Sequence, residues 1–206
     1  MLSAKDLQLD LPGFALRAAD VRLGAGEGVW LQGVNGAGKS MLLRSLAGIF
    51  QARSREQRIG AHPLADEPVA YKRQIVYAGN ARRAYAHLTV QAALDFASQF
   101  YDGWRADRVV PLAQQVALPL TAKVANLSQG MTAKLNFLIA ACSGAKVLLI
   151  DELLAPVDAE AKQHMAEFFA GELQRGAALI YCSHSEDEVT ALLSRRWQMR
   201  DGALCH

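Results

Sequence analysis

A chain of 206 residues, 51% of them hydrophobic and 20% charged, is long enough to bury one sizeable core and too apolar to be disordered. Its formal net charge of +2 falls short of the concentrated basic face that a nucleic-acid binder carries, so no nucleic-acid partner is expected. The three cysteines, Cys142, Cys182 and Cys205, form no CxxC pair, which argues against a zinc or redox motif, and the first two lie in apolar runs as small hydrophobes of a reducing compartment would.

Residues 1–10 mix charged and apolar side chains and do not read as a signal peptide. Alternation at Leu7-Gln8-Leu9 and Val21-Arg22-Leu23 predicts short antiparallel strands, with turns at Pro12-Gly13 and across 24–28. Residues 29–32 read as a strand entering a glycine-rich loop, 33–40. The helix that follows carries Leu42, Leu43, Leu46 and Ala47 on one face and ends at Gly48. The polar, proline-broken stretch 51–71 predicts loop with one edge strand, and 74–78 a strand. Thr89 is placed to cap a helix reaching residue 100. A second helix is expected over 105–116, and a third after Ser128, with Leu135, Leu138, Ile139 and Cys142 on one side.

The longest apolar stretch, 137–150, is interrupted by Ser143, Gly144 and Lys146 and is shorter than the roughly 20 residues of a spanning helix. Within it, 147–150 reads as a strand buried on both faces. Asp158 caps a further helix that ends at Gly176, 177–182 is another buried strand, and 185–193 is expected to form a closing helix. Strands alternating with helices predict an α/β fold: a mostly parallel sheet, preceded by antiparallel β strands and interrupted by a helical insertion.

Gly33-Val34-Asn35-Gly36-Ala37-Gly38-Lys39-Ser40, between a strand and a helix, fits the phosphate-binding P-loop pattern. Gly33, Asn35, Gly36 and Gly38 lie in the turn whose backbone N–H groups close on phosphate, and the next helix points its positive end at the same place. Lys39 would reach the β- and γ-phosphates of ATP, and Ser40 would give an oxygen to Mg2+. Val147-Leu148-Leu149-Ile150-Asp151 delivers a carboxylate to a strand end, where Asp151 would hold Mg2+. Glu152 follows as a candidate general base.

Leu127-Ser128-Gln129-Gly130-Met131 resembles the signature of ABC ATPases, normally Leu-Ser-Gly-Gly-Gln. Ala155-Pro156-Val157-Asp158 stands at the D-loop position and His184, after a buried strand, at that of the switch histidine. The motifs follow the family's order across nearly the whole chain. The resemblance implies a P-loop NTPase core with a helical signature subdomain, in one domain over 1–206: a core lobe of about 1–79 and 146–206, and a helical lobe of about 80–145. It also implies a dimer, of identical or closely homologous chains, in which Ser128 and the N–H of Gly130 contact the ATP held by the other chain, while His184 contacts the γ-phosphate in its own site. The implied partner is a separate transmembrane permease, and the implied location is cytoplasmic, peripheral on the inner face of the cell membrane.

Phe100-Tyr101-Asp102-Gly103-Trp104 with the Ser-Gln-Gly-Met signature resembles exporter ATPases associated with GntR-type regulators. A haem-exporter-type ATPase and a non-catalytic ATP-binding regulatory subunit are the alternatives. At the Q-loop position Asn80 replaces glutamine, keeping the amide oxygen for Mg2+ on a side chain one methylene shorter. Phe14 is the candidate for the aromatic that stacks on adenine, with core packing as its other reading.

Overall fold

The computed structural model describes residues 1–79 and 85–205. Strands β1 (Leu2–Leu11) and β2 (Phe14–Leu23) pair antiparallel from Leu2↔Leu23 to Leu11↔Phe14. They form one long hairpin, longer than the alternation of a few residues suggested. β3 (Gly28–Gln32) leads through the glycine-rich loop into α1 (Lys39–Leu46).

The stretch expected to be mostly loop holds β4 (Glu56–Ile59), β5 (His62–Pro63) and helix α2 (Pro68–Arg73). Its polar composition has a structural use. Buried Gln57 donates through Nε2 to the carbonyls of Ser45 and Leu46 at 3.1 and 3.0 Å, and Tyr71 donates its hydroxyl to Leu46 O at 2.6 Å. Both side chains thus satisfy the last carbonyls of α1. Pro68 occupies the first turn of α2, where a missing N–H leaves no bond unmade.

β6 (Ile75–Gly79) is followed by α3 (Val90–Ser98), a 3-10 turn at Ala106–Arg108, α4 (Val109–Gln115) and α5 (Gln129–Cys142). Then come β7 (Val147–Asp151), α6 (Ala159–Gln174) and β8 (Ala178–Cys182). Thr89, Ser128 and Asp158 cap α3, α5 and α6, accepting from the N–H groups of Ala92, Met131 and Ala161 at 3.1, 3.1 and 3.0 Å.

The closing helix expected over 185–193 does not form. A 3-10 turn spans Thr190–Leu192, and two further strands end the chain, β9 (Arg195–Arg200) and β10 (Ala203–Cys205). Local side-chain bonds displace the helix. The Asp187 carboxylate accepts from the N–H groups of Val189 and Thr190 at 3.1 and 2.9 Å, and the Asp187 N–H donates to Thr190 Oγ1 at 2.8 Å. Trp197 and Met199 then alternate inward between exposed neighbours, a period of two that belongs to a strand.

The described strands form one mixed sheet in the order β5-β4-β1-β2-β10-β9-β3-β8-β7-β6, parallel from β9 to β6. Because side chains alternate across a sheet, each central strand sends its residues to two different cores. Trp30, Val76, Ala78, Leu148, Ile150, Leu179 and Tyr181 pack with α3, α5 and α6 on one face. Val29, Leu31, Ile75, Val147, Leu149, Ala178, Ile180 and Cys182 pack with α1 and the β1–β2 hairpin on the other. Tyr77 and Asp151 share the parity of this second set, which brings them to the face where α1 and the glycine-rich loop lie. Among the described residues no helix is long and apolar enough to cross a membrane.

Candidate active site

Helix α1 differs at its start from α3, α5 and α6. Its N-cap is Gly38, with φ 102, and it has neither a side-chain cap nor an acidic residue in the first turn. The first N–H groups of any helix lack intrahelical partners and carry partial positive charge, so this end suits an external anion. Gly33 and Gly36 also take positive φ, 151 and 81. A Cβ on Gly33 would stand 2.6 Å from Met199 O, and one on Gly38 would stand 2.5 Å from the Phe14 ring, so side chains are excluded from both positions.

Lys39 is 5% exposed and turned into its own loop, with Nζ donating to Gly33 O at 2.7 Å and Val34 O at 3.1 Å. An ammonium has three donors, so these two bonds hold the charge in place and leave one proton for an incoming oxyanion. A cavity of about 290 Å³ opens here, lined by Phe14, Asn35, Gly36, Gly38, Lys39, Ser40, Met41 and Glu152. Phe14 is therefore both a packing residue and a wall of the cavity.

Asp151, 6% exposed, ends β7 beside this loop and accepts from the Tyr77 hydroxyl at 2.7 Å. Glu152 follows in the left-handed region at φ 52, an uncommon conformation for a residue with a Cβ. Its N–H donates to Cys182 O at 3.0 Å, which ties the turn to β8. The bend swings the Glu152 carboxylate towards the end of β8, where His184 Nε2 lies 2.6 Å from Glu152 Oε1. The histidine segment is itself anchored: Trp30 Nε1 donates to Ser183 O at 3.2 Å, and Tyr181 donates its hydroxyl to Asp187 Oδ2 at 2.5 Å.

Ligand atoms of Asp151, Glu152 and Cys182 lie within 4.8 Å of one another. Burial, reinforced by the Asp151 carboxylate, pushes the Cys182 thiol well above its usual range and keeps it protonated. That leaves the carboxylates of Asp151 and Glu152, with the Ser40 hydroxyl lining the same cavity as Glu152, and oxygen donors of this kind suit a hard cation such as Mg2+. The residues present fit the metal expected from the sequence.

Ser128 and Gly130 stand elsewhere, at the exposed start of α5. Gly130 is pressed against the next loop, since a Cβ there would lie 2.7 Å from Pro156 O. Lys134 of α5 pairs with Asp158 at 2.5 Å, which pins the start of α5 to the start of α6 and holds the Asp158 carboxyl below the usual carboxylate range. The structure thus brings Gly33, Asn35, Gly36, Gly38, Lys39, Ser40, Asp151, Glu152 and His184 together within one chain. Ser128 and Gly130 do not line the cavity beside Lys39. Asn80 lies outside the described residues. Tyr77 and the Pro156 carbonyl were missed by the sequence reading. The parity of β6 against β7 could have flagged Tyr77, whereas nothing local marks the carbonyl.

The family model described as ABC transporter matches residues 16–155. The cytochrome c biogenesis ATP-binding export protein CcmA of Sodalis glossinidius is 31% identical over 182 residues, covering 87% of this chain and 83% of its own length. The molybdenum import ATP-binding protein ModC of Aromatoleum aromaticum is 29% identical over 205 residues, covering 94% of this chain. The chain spans only 54% of that relative's length. A solved ATP-binding subunit of an ABC transporter superposes with a TM-score of 0.90 at 26% identity, covering 99% of this chain and 88% of that one. With the matched region running from the nucleotide-loop strands through Asp151 and Glu152, the chain belongs to the ABC transporter family, as an ATP-binding domain of its ATPase type.

Proposed function

We propose that this chain hydrolyses ATP in two composite sites of a head-to-tail dimer and drives export through a separate transmembrane permease. The observation that carries the reading is the cavity shared by the Lys39 loop and Glu152, with His184 bonded to that glutamate. The N–H groups of the loop and of α1, with the Lys39 ammonium, bind the phosphates, and the Phe14 ring offers a face for adenine. Ser40 and Asp151 would hold Mg2+, with the amide oxygen of Asn80 as a further ligand, and the cation would supply neutralisation of the phosphate charge.

Glu152 takes the proton of the attacking water. The Nε2–H of His184 donates to Oε1 of Glu152 and fixes the plane of the carboxylate. With nucleotide bound, the same imidazole donates to the γ-phosphate. Within one chain Ser128 is exposed and Gly130 half-buried at the start of α5, and neither lines the cavity of the chain's own Lys39 loop, which supports their use by a second copy. The helical lobe, about 80–145, would receive the permease, and the core lobe would hold the nucleotide.

The two relatives reported above are named for opposite directions of transport, import and export. Export is favoured here by the Ser-Gln-Gly-Met signature. A second reading, an exporter of the cytochrome c biogenesis type, is favoured by the 83% coverage of that relative.

Shared sites are tested by mixing two inactive variants. A Lys39→Ala chain combined with a Ser128→Arg chain gives one composite site with both defects and one with neither. The expected result is ATPase activity in the mixture above that of either parent, with mixed dimers verified by two affinity tags. Mixed dimers that never exceed their parents contradict the head-to-tail arrangement.

A further inference from the structure

Asp151 is held by a hydrogen-bond relay that begins on the phosphate-binding helix. Arg44, in the last turn of α1, donates through Nε to the Tyr77 oxygen at 3.1 Å, and its guanidinium also lies 5.5 Å from the Tyr77 ring centre. Tyr77 donates in turn to Asp151 Oδ2 at 2.7 Å. A phenol has a single proton. With a cationic donor directed at its oxygen, that proton is committed to the carboxylate.

The backbone makes room for this contact. In the β6–β7 ladder Tyr77 stands opposite Leu149 and Gly79 opposite Asp151, so the phenol must reach diagonally across the position of residue 79. A Cβ on Gly79 would lie 2.9 Å from the Tyr77 hydroxyl oxygen and 3.1 Å from Asp151 Cβ. The missing side chain at Gly79 is therefore the space the relay uses. Asn136 of α5 donates to Gly79 O at 2.9 Å and holds that strand end in place.

We infer that Tyr77, fixed by Arg44, is a positioning residue for the metal-holding carboxylate: it occupies one oxygen of Asp151 and so sets which oxygen faces the cation. The inference rests on the reading of Asp151 as that carboxylate. Outer partners of metal-holding groups are typically worth about 10- to 100-fold in metal affinity. They act without touching nucleotide or metal, so metal-free nucleotide binding is left alone.

The test is titration of Mg2+ against the full-length chain with the fluorescent analogue mant-ATP, reading the metal-dependent rise in nucleotide affinity, with a parallel series in EDTA. Tyr77→Phe is expected to raise the Mg2+ midpoint about tenfold while changing affinity in EDTA less than about twofold. Arg44→Gln, which keeps the phenol and removes the donor that orients it, is expected to shift the midpoint about threefold in the same direction. A purely structural role for Tyr77 would lower the melting temperature and leave the midpoint where it was.

Asp151→Asn separates the two ways of failing. If it loses the Mg2+ response while Tyr77→Phe and Arg44→Gln keep the parental midpoint, the relay is overturned and the metal site stands. If Asp151→Asn itself responds to Mg2+ as the parent does, the reading of the site fails and the relay with it.

Discussion

Glu152→Gln is expected to lower steady-state ATP turnover by about 100-fold or more while leaving nucleotide affinity close to that of the parent. The substitution keeps the size and shape of the side chain. Its carbonyl oxygen can still accept from His184 Nε2, which now sits 2.6 Å from Oε1, so the loop geometry survives. What is lost is basicity at the wall of the cavity that faces Lys39 and Ser40. Because the backbone at Glu152 is already in the left-handed region, the bend is set by the Cys182 carbonyl it bonds rather than by the charge. Phosphate release measured at saturating ATP checks the expectation, with mant-ATP binding as control. Turnover near the parental rate would remove Glu152 from the role of base.

Lys39→Ala is expected to weaken nucleotide binding strongly and to remove hydrolysis. The ammonium is nearly enclosed and is held by two carbonyls of the loop, so it adds positive charge at the centre of the phosphate site and also braces the loop. Hydrogen bonds to a charged group are worth about 1.5–3 kcal/mol each, so losing one bond to phosphate alone weakens ATP binding by about tenfold to a hundredfold. Removing the brace takes the Lys39 bond from Gly33 O and Val34 O, of which Val34 O keeps the Ala37 N–H at 3.1 Å, and loosens the loop as well. The measurement is mant-ATP titration together with phosphate release, and the expected residual ATPase is below about 1% of the parent. Nucleotide binding at parental strength would show that the loop's N–H groups suffice without the lysine.

The parts of the site that are read from local spacing were the legible ones. A strand, eight loop residues and a helix specify the phosphate site because the same short segment must supply the turn, the N–H groups and the cation. Val147 to Ile150 announced a strand buried on both faces, and Asp151 and Glu152 came with it. The caps Thr89 and Asp158 were legible for the same reason, since each bonds an N–H three residues ahead, and Ser128, read only as preceding its helix, caps it in the same way.

Elements whose polar residues serve distant groups were not legible. Gln57 looks like a loop residue until α1 presents its C-terminal carbonyls to it. Residues 185–193 have helical spacing, yet Asp187 satisfies the backbone of a tighter turn and the chain returns as β9 and β10. The contact of Tyr77 with Asp151 depends on which strand lies beside β7 and in what register; the alternation along β6 and Gly79 itself are visible in the sequence, but that pairing is not.

The claim that two copies of this chain enclose ATP between the Lys39 loop of one and the Ser128 helix of the other is tested most directly by sedimentation of the Glu152→Gln chain. With hydrolysis blocked, the two ATP molecules remain at the interface as bridging ligands. The expected result is monomer without nucleotide and with ADP, and dimer with ATP and Mg2+, carrying two nucleotides per dimer. A Glu152→Gln chain that binds ATP and Mg2+ yet sediments as a monomer at every protein concentration tested would contradict the account.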